Sequence, residues 1–271
     1  MTNPLMNLLA AVLYLSVGVL LWLGLRRPGT ASRGARLGVF ALAVGAVLAH
    51  AAILYAGLLH EGGLDLGLTN AISLVAWAVA VLFLLATLSR PIESLGIFIM
   101  PTAAVTVVLD WLLPRGHLLV STVTPMQSAH IVISLLAYSL LSIAVLQSLV
   151  LGLQEKHLRG RQPSRLMRAL PPLETMESLM FQMVTLGFIL LTLTLISGVF
   201  FSEQLFGKPL EFTHHIVLSI FAWIVFGILL LGHWRFGWRG RTAISWTLGG
   251  FVLLALAYFG SKFVLEIILH R

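Results

Sequence analysis

Eight long apolar runs, broken only by short polar connectors, govern what this 271-residue chain can become. A helix rises about 1.5 Å per residue, so roughly 20 apolar residues cross a hydrocarbon layer about 30 Å thick. Lipid offers no partner to backbone amides, so each run must satisfy its own hydrogen bonds as a helix. The spacing predicts spans over Leu5–Leu25, Leu37–Leu59, Thr69–Leu88, Ile92–Leu113, Met126–Leu153, Glu177–Phe201, Phe212–Trp234 and Ala243–Leu269. The fourth carries Glu93 and Asp110 near its ends and Pro101 in its middle, which predicts a kink rather than a break. Pro125 is taken to open the fifth, with the uncharged residues just before it at the interface. The expected fold is all-α: a polytopic integral-membrane helical bundle of eight transmembrane helices, one domain over 1–271, since no connector is long enough to fold alone.

Composition closes the alternatives. Only 10% of residues are charged and 59% are apolar, whereas a soluble domain carries about 25% charged residues. The absence of cysteine removes thiol redox chemistry, cysteine-ligated clusters and disulfide scaffolds. A net charge of +7 does not mark a nucleic-acid binder, because the basic residues cluster in connectors. After spans 1, 3, 5 and 7 come Arg26, Arg27, Arg33 and Arg36, then Arg90, then Lys156, Arg159, Arg161, Arg165 and Arg168, then Arg235, Arg239 and Arg241. Only Arg115, Lys208, Lys262 and Arg271 fall on the other side. The positive-inside rule then places both termini outside, in a bacterium's inner (cytoplasmic) membrane with the ends in the periplasm. The first span has no basic segment before it, so it reads as a retained helix rather than a cleaved signal.

Ionisable groups inside spans are functional candidates by default. His130 lies about one turn into span 5 and His214 opens span 7 from the same side, so both sit within ~6 Å of the outer interface. Two neutral imidazoles at one depth can share a metal, including axial ligation of iron, without adding charge. Ser134, Ala137, Tyr138 and Leu141 continue the face of His130, and Leu218, Phe221 and Val225 that of His214, so a flat apolar ligand could be walled there. His215 is turned by about 100° from His214, so one of the two can face a given site. The same imidazoles can equally serve as hydrogen-bonding partners between helices. His50 lies ~14 Å below the outer interface, where it can ligate a deeper cofactor, relay protons or join helices. Lys262 and Glu266, one turn apart, read as an interfacial pair, and Pro171, Pro172, Glu174 and Glu177 as a helix start. Phosphate loops, nucleophile elbows and paired catalytic carboxylates are missing, so nothing here marks an enzyme.

The stretch SAHIVISLLAYSLLSIAVLQSLVLGLQ from Ser128 to Gln154 resembles the histidine-led helix of the cytochrome c assembly superfamily. The C-terminal third is similar as well, from Leu195 through the basic turn at Arg241 and on into GFVLLALAYFGSKFVLEIILHR. PPLETME at Pro171–Glu177 and LGLTNAISL at Leu66–Leu74 are similar to its HemX- and YpjD-like branch. The resemblance implies a membrane protein that binds or passes heme, expected as heme b between His130 and His214, with His50 and His270 as further candidate ligands. His270 falls where CcsA-like members place a second external histidine. The tryptophan-rich WWD segment of the synthase members is absent between Phe201 and His214, which speaks against ligation of heme to apocytochromes. The branch also implies an alternative, a non-heme adaptor or regulator of tetrapyrrole synthesis whose basic loop Lys156–Arg168 docks a membrane or cytoplasmic protein. A transporter built on His50 would need paired carboxylates on broken helices or an inverted repeat, and the sequence shows neither.

Overall fold

The computed structural model describes residues 4–26, 32–60, 63–89, 92–113, 119–120, 124–159, 170–200, 214–260 and 262–263. Eight helices among them are long and apolar enough to cross a membrane. They are α1 (Pro4–Arg26), α2 (Arg33–Leu58), α3 (Leu68–Thr87), α4 (Gly96–Leu112), α5 (Pro125–Arg159), α6 (Leu173–Phe200), α7 (His214–Phe236) and α8 (Gly240–Ala255). A 3₁₀ turn, Glu93–Leu95, leads into α4, and a π turn, Leu256–Gly260, continues α8. The all-α expectation thus holds. Three strand fragments were not foreseen: β1 (Leu59–His60), β2 (Gly63–Asp65) and β3 (Leu119–Val120) pair antiparallel in that order. Pieces of two or three residues are too short to show a period-two pattern.

The chain groups into two compact units, Met1–Ser121 with His157–Pro171, and Thr122–Lys156 with Pro172–Arg271. In the N-terminal unit α1 packs on α2 and α4, and α3 on α2 and α4, closing a ring. α4 runs unbroken through Pro101. A side chain at Gly18 would stand 3.1 Å from the Pro101 ring, and one at Gly96 would meet Leu21 and Phe83, so both crossings depend on the missing Cβ. Those two contacts also show that α1 and α4 run antiparallel.

In the C-terminal unit a side chain at Gly187 would stand 2.7 Å from Leu141, which brings α5 close to α6. The Gln147 amide donates to the Met176 carbonyl at 2.8 Å, and Trp223 Nε1 donates to Thr192 at 2.8 Å, tying α5 to α6 and α7 to α6. Each such bond is worth about 1 kcal/mol inside a membrane. α7 ends in a Schellman turn: Trp238 N donates to the Gly232 carbonyl and Gly237 N to that of His233, both at 3.1 Å, with Gly237 at φ 66°. α6 starts just past Pro171 and Pro172, as the sequence predicts. The Glu177 carboxylate goes further than its own helix and accepts the Gly240 amide at 2.8 Å, capping α8.

Candidate functional site

The C-terminal unit places His130 one turn and a half into α5, half-buried, against the far end of α6. Its Nδ1 lies 2.7 Å from Ser197 Oγ. The Ser197 hydroxyl also lies 3.0 Å from the Thr194 carbonyl, to which it can donate. Ser197 can then accept from the ring, an arrangement that puts the imidazole proton on Nδ1. That tautomer leaves the Nε2 lone pair as the basic atom of the ring, the arrangement that metal-ligating histidines use. Gly198 completes the seat: a Cβ there would stand 3.7 Å from His130 Cε1, so the ring edge lies flat against α6. Neither Ser197 nor Gly198 was singled out from the sequence. The only signal was a small pair interrupting an apolar helix, a pattern that marks close helix contact more often than a site.

The phase of α7 sorts the two histidines at its start. Val217, Phe221, Ile224, Ile228 and Leu231 are exposed and follow His214 at helical spacing, so that stripe looks away from the protein. Ala222, Phe226 and Leu229 are fully buried, and they recur seven, eleven and fourteen residues after His215. His215 shares the helical phase of that buried stripe, although its own side chain, like that of His214, is exposed at the start of the helix, and it is within electrostatic reach of His130. The sequence reading chose His214 of the pair; by helical phase His215 is the one aligned with the buried residues Ala222, Phe226 and Leu229. Phe221, expected in the wall of a site, is 55% exposed and lies on the lipid-facing stripe.

Beneath His130, Ala137 and Leu141 are fully buried and Tyr138 is half-buried, so the expected face of α5 does point inward. Tyr138 donates to the Leu254 carbonyl at 2.8 Å, and its ring meets Tyr258 and Phe259 at centroid separations of 6.0 and 5.8 Å. Both of those rings sit on the π turn, a helical defect that recurs at functional sites. Lys262 Nζ stands 5.0 Å over the Tyr258 ring. Its expected partner Glu266, like the candidate ligand His270, lies outside the described residues.

His50 belongs to the other unit. It is fully buried, with Nδ1 3.2 Å from Tyr14 Oη and Nε2 2.8 Å from Ser73 Oγ. The two rings meet edge to face, 5.7 Å between centroids. Both nitrogens are engaged, so a metal at His50 would have to displace a partner on α1 or α3. Among the described residues no three histidine, cysteine or acidic side chains gather as a metal cluster. Two axial imidazoles on a pre-formed iron macrocycle do not require one.

Comparison with known proteins adds independent information. A family model described as cytochrome C assembly protein matches residues 39–269. The chain is 36% identical over 270 residues to the inner membrane protein YpjD of Escherichia coli K12, covering 98% of this chain and 99% of that one. It is 26% identical over 131 residues to protein HemX of Brevibacillus brevis, 48% of each chain. It is also 30% identical over 87 residues to the cytochrome c biogenesis protein CcsA of Prochlorococcus marinus, 32% of this chain and 27% of that one.

Proposed function

The chain belongs to the cytochrome c assembly protein family, and on that premise we propose that it holds heme b in its C-terminal unit, with His130 and His215 as axial ligands. It is a multi-pass protein of the bacterial inner membrane, as its full-length relative is named and as its eight apolar helices require. A role connected with heme follows from the family and from the relatives named for cytochrome c biogenesis.

The observation that carries the proposal is the Thr194–Ser197–His130 chain, in which Ser197 can hold the imidazole proton on Nδ1 and so make Nε2 the basic atom. His215, exposed at the start of α7 and in helical phase with the buried Ala222 and Phe226, would supply a second imidazole. Heme, when bound, supplies an iron centre whose ligation and redox state can be handed on. The protein's own residues would do the rest: Ser197 orients the His130 ring, and the buried Ala137 and Leu141 give the site an apolar floor. Heme transfer or retention suits this chain better than ligation to an apocytochrome, because 201–213 contains no tryptophan to present heme. From the distribution of lysine and arginine, we place this site toward the outer leaflet.

The test is titration of the purified protein with heme b. The expected outcome is a low-spin Soret band saturating at one heme per chain. His130→Ala and His215→Ala should each abolish the low-spin band, while His214→Ala keeps it. A flat titration, or variants at 130 and 215 that match the unaltered protein, would overturn the proposal and favour the partner-docking alternative.

A further inference from the structure

Two cross-links in the C-terminal unit set the level of Lys262 against that of the histidines. Tyr138 Oη donates to the Leu254 carbonyl at 2.8 Å, and eight residues lead from Tyr138 back to His130 and from Leu254 on to Lys262. Both paths climb about 12 Å at helical rise, so Lys262 stands level with His130. On α7 the Phe226 ring lies 3.0 Å from where a side chain at Gly250 would begin, and α7 and α8 are joined as a hairpin by the turn at Gly237. Counting back to His215 and on to Lys262 gives about 16 and 18 Å, so the lysine is level with His215 as well. The π turn that leads to Lys262 rests against α7, and its rings Tyr258 and Phe259 meet Tyr138 of α5. The lysine is thus carried by a segment lodged between the two helices of the proposed axial ligands.

Its side chain does not behave as a helix anchor. Val252, Leu256 and Phe263 form the exposed row of this helix, whereas Lys262 is half-buried. A lysine that only anchors a helix end runs its stem outward to the headgroups. This one leans back by a turn, with Nζ 5.0 Å over the Tyr258 ring. Tyr258 is braced in turn by Phe259, 5.3 Å away between centroids, and by Tyr138. Among the described residues of this unit the other lysine and arginine side chains, Lys156, Arg235, Arg239 and Arg241, lie at the opposite end of its helices. The histidine end therefore carries a single described ammonium, and that one is set against an aromatic face.

We infer that Lys262 is the carboxylate-binding residue of the heme site, its ammonium taking a propionate at the edge of the macrocycle while Tyr258 positions the lysine. The inference rests on the heme reading above and deepens it from ligation of iron to recognition of the porphyrin rim. Heme b is flat and apolar except for two propionate carboxylates on one edge. Two axial imidazoles hold its iron but leave the ring free to turn about the line between them. A cation level with both histidines fixes that rotation, and it offsets the cost of setting an anionic edge beside the apolar floor of Ala137 and Leu141. It also makes the site selective, because a porphyrin with blocked carboxylates loses this contact and keeps the bonds to iron.

The test compares ferric heme b with its dimethyl ester, in which both carboxylates are blocked. The protein is held in phosphatidylcholine nanodiscs, which offer no anionic headgroup to the lysine. Lys262→Gln should weaken heme b by roughly tenfold, the scale of one partly exposed charge-assisted contact, and leave the ester unchanged. Unchanged ester binding also shows that the variant is folded. Lys262→Arg should keep most of the affinity for heme b, and Lys262→Glu should lose more than Lys262→Gln. Raising the salt concentration should narrow the gap between unaltered protein and Lys262→Gln. Iron-free protoporphyrin IX and its dimethyl ester, followed by porphyrin fluorescence, should show the same dependence on Lys262 without any contribution from the histidines. A Lys262→Gln variant that binds heme b as the unaltered protein does, or that loses heme b and ester in equal measure, would overturn the carboxylate site and leave bis-histidine ligation standing. Failure of heme b and ester alike to bind the unaltered protein would overturn the heme reading and this inference together.

Discussion

Ser197 bears on what His130 can do, because as an acceptor it would hold the imidazole proton away from Nε2. Replacing it by alanine leaves the Nδ1 proton without its partner and frees the ring to turn. Ser197→Ala should weaken heme binding by roughly 10–100-fold while leaving the protein folded, a loss typical of removing the group behind a metal-ligating histidine. Spectrophotometric titration measures it, and Ser197→Thr, which keeps the hydroxyl, should recover most of the affinity. His130 was legible in the sequence because a lone imidazole in an apolar span is costly and therefore conspicuous. The choice between His214 and His215 was not, since adjacent histidines differ only in helical phase, and phase shows only in which neighbours become buried. Ala222, Phe226 and Leu229 favour His215, yet in the sequence they look as apolar as the exposed Phe221 and Ile228.

At the scale of elements, the turn between α7 and α8 shows how close contact substitutes for a large core. Gly232 lies directly under the Trp238 indole, His233 donates from Nδ1 to the Trp238 carbonyl at 2.9 Å, and the His233 ring stacks on Phe181 at 3.5 Å. Gly232→Ala would push a methyl into the indole ring and open the turn. It should destabilise the protein by about 1–3 kcal/mol, the usual cost of overpacking. The drop is read as a lower melting temperature, with heme affinity per folded molecule unchanged. Apolar run length sufficed to find these helices: the expected ends fall within a few residues of those observed for the first four. α5 runs on to Arg159, well past the expected Leu153, because amphipathic turns continue a helix after it leaves the hydrocarbon. The π turn was invisible, since a register defect leaves no trace in hydropathy.

At the scale of the molecule, the uneven distribution of arginine and lysine predicts an even number of crossings with both ends in the periplasm. A reporter enzyme that works only in the periplasm, fused at residue 271, should be active, and a cytoplasmic fluorescent reporter at the same place dark. Fusion after Arg26 should reverse both. The grouping into two units was not legible in the chain, because all eight spans look alike to a hydropathy window and only packing separates them. The closed ring of α1 to α4 carries a consequence for biosynthesis. α1 leaves the ribosome well before α4, against which it lies, so it must wait in the bilayer until some eighty further residues have been threaded. Its buried asparagine and tyrosine face lipid or the translocon meanwhile, which makes the N-terminal half the stretch where a membrane chaperone has most to shield.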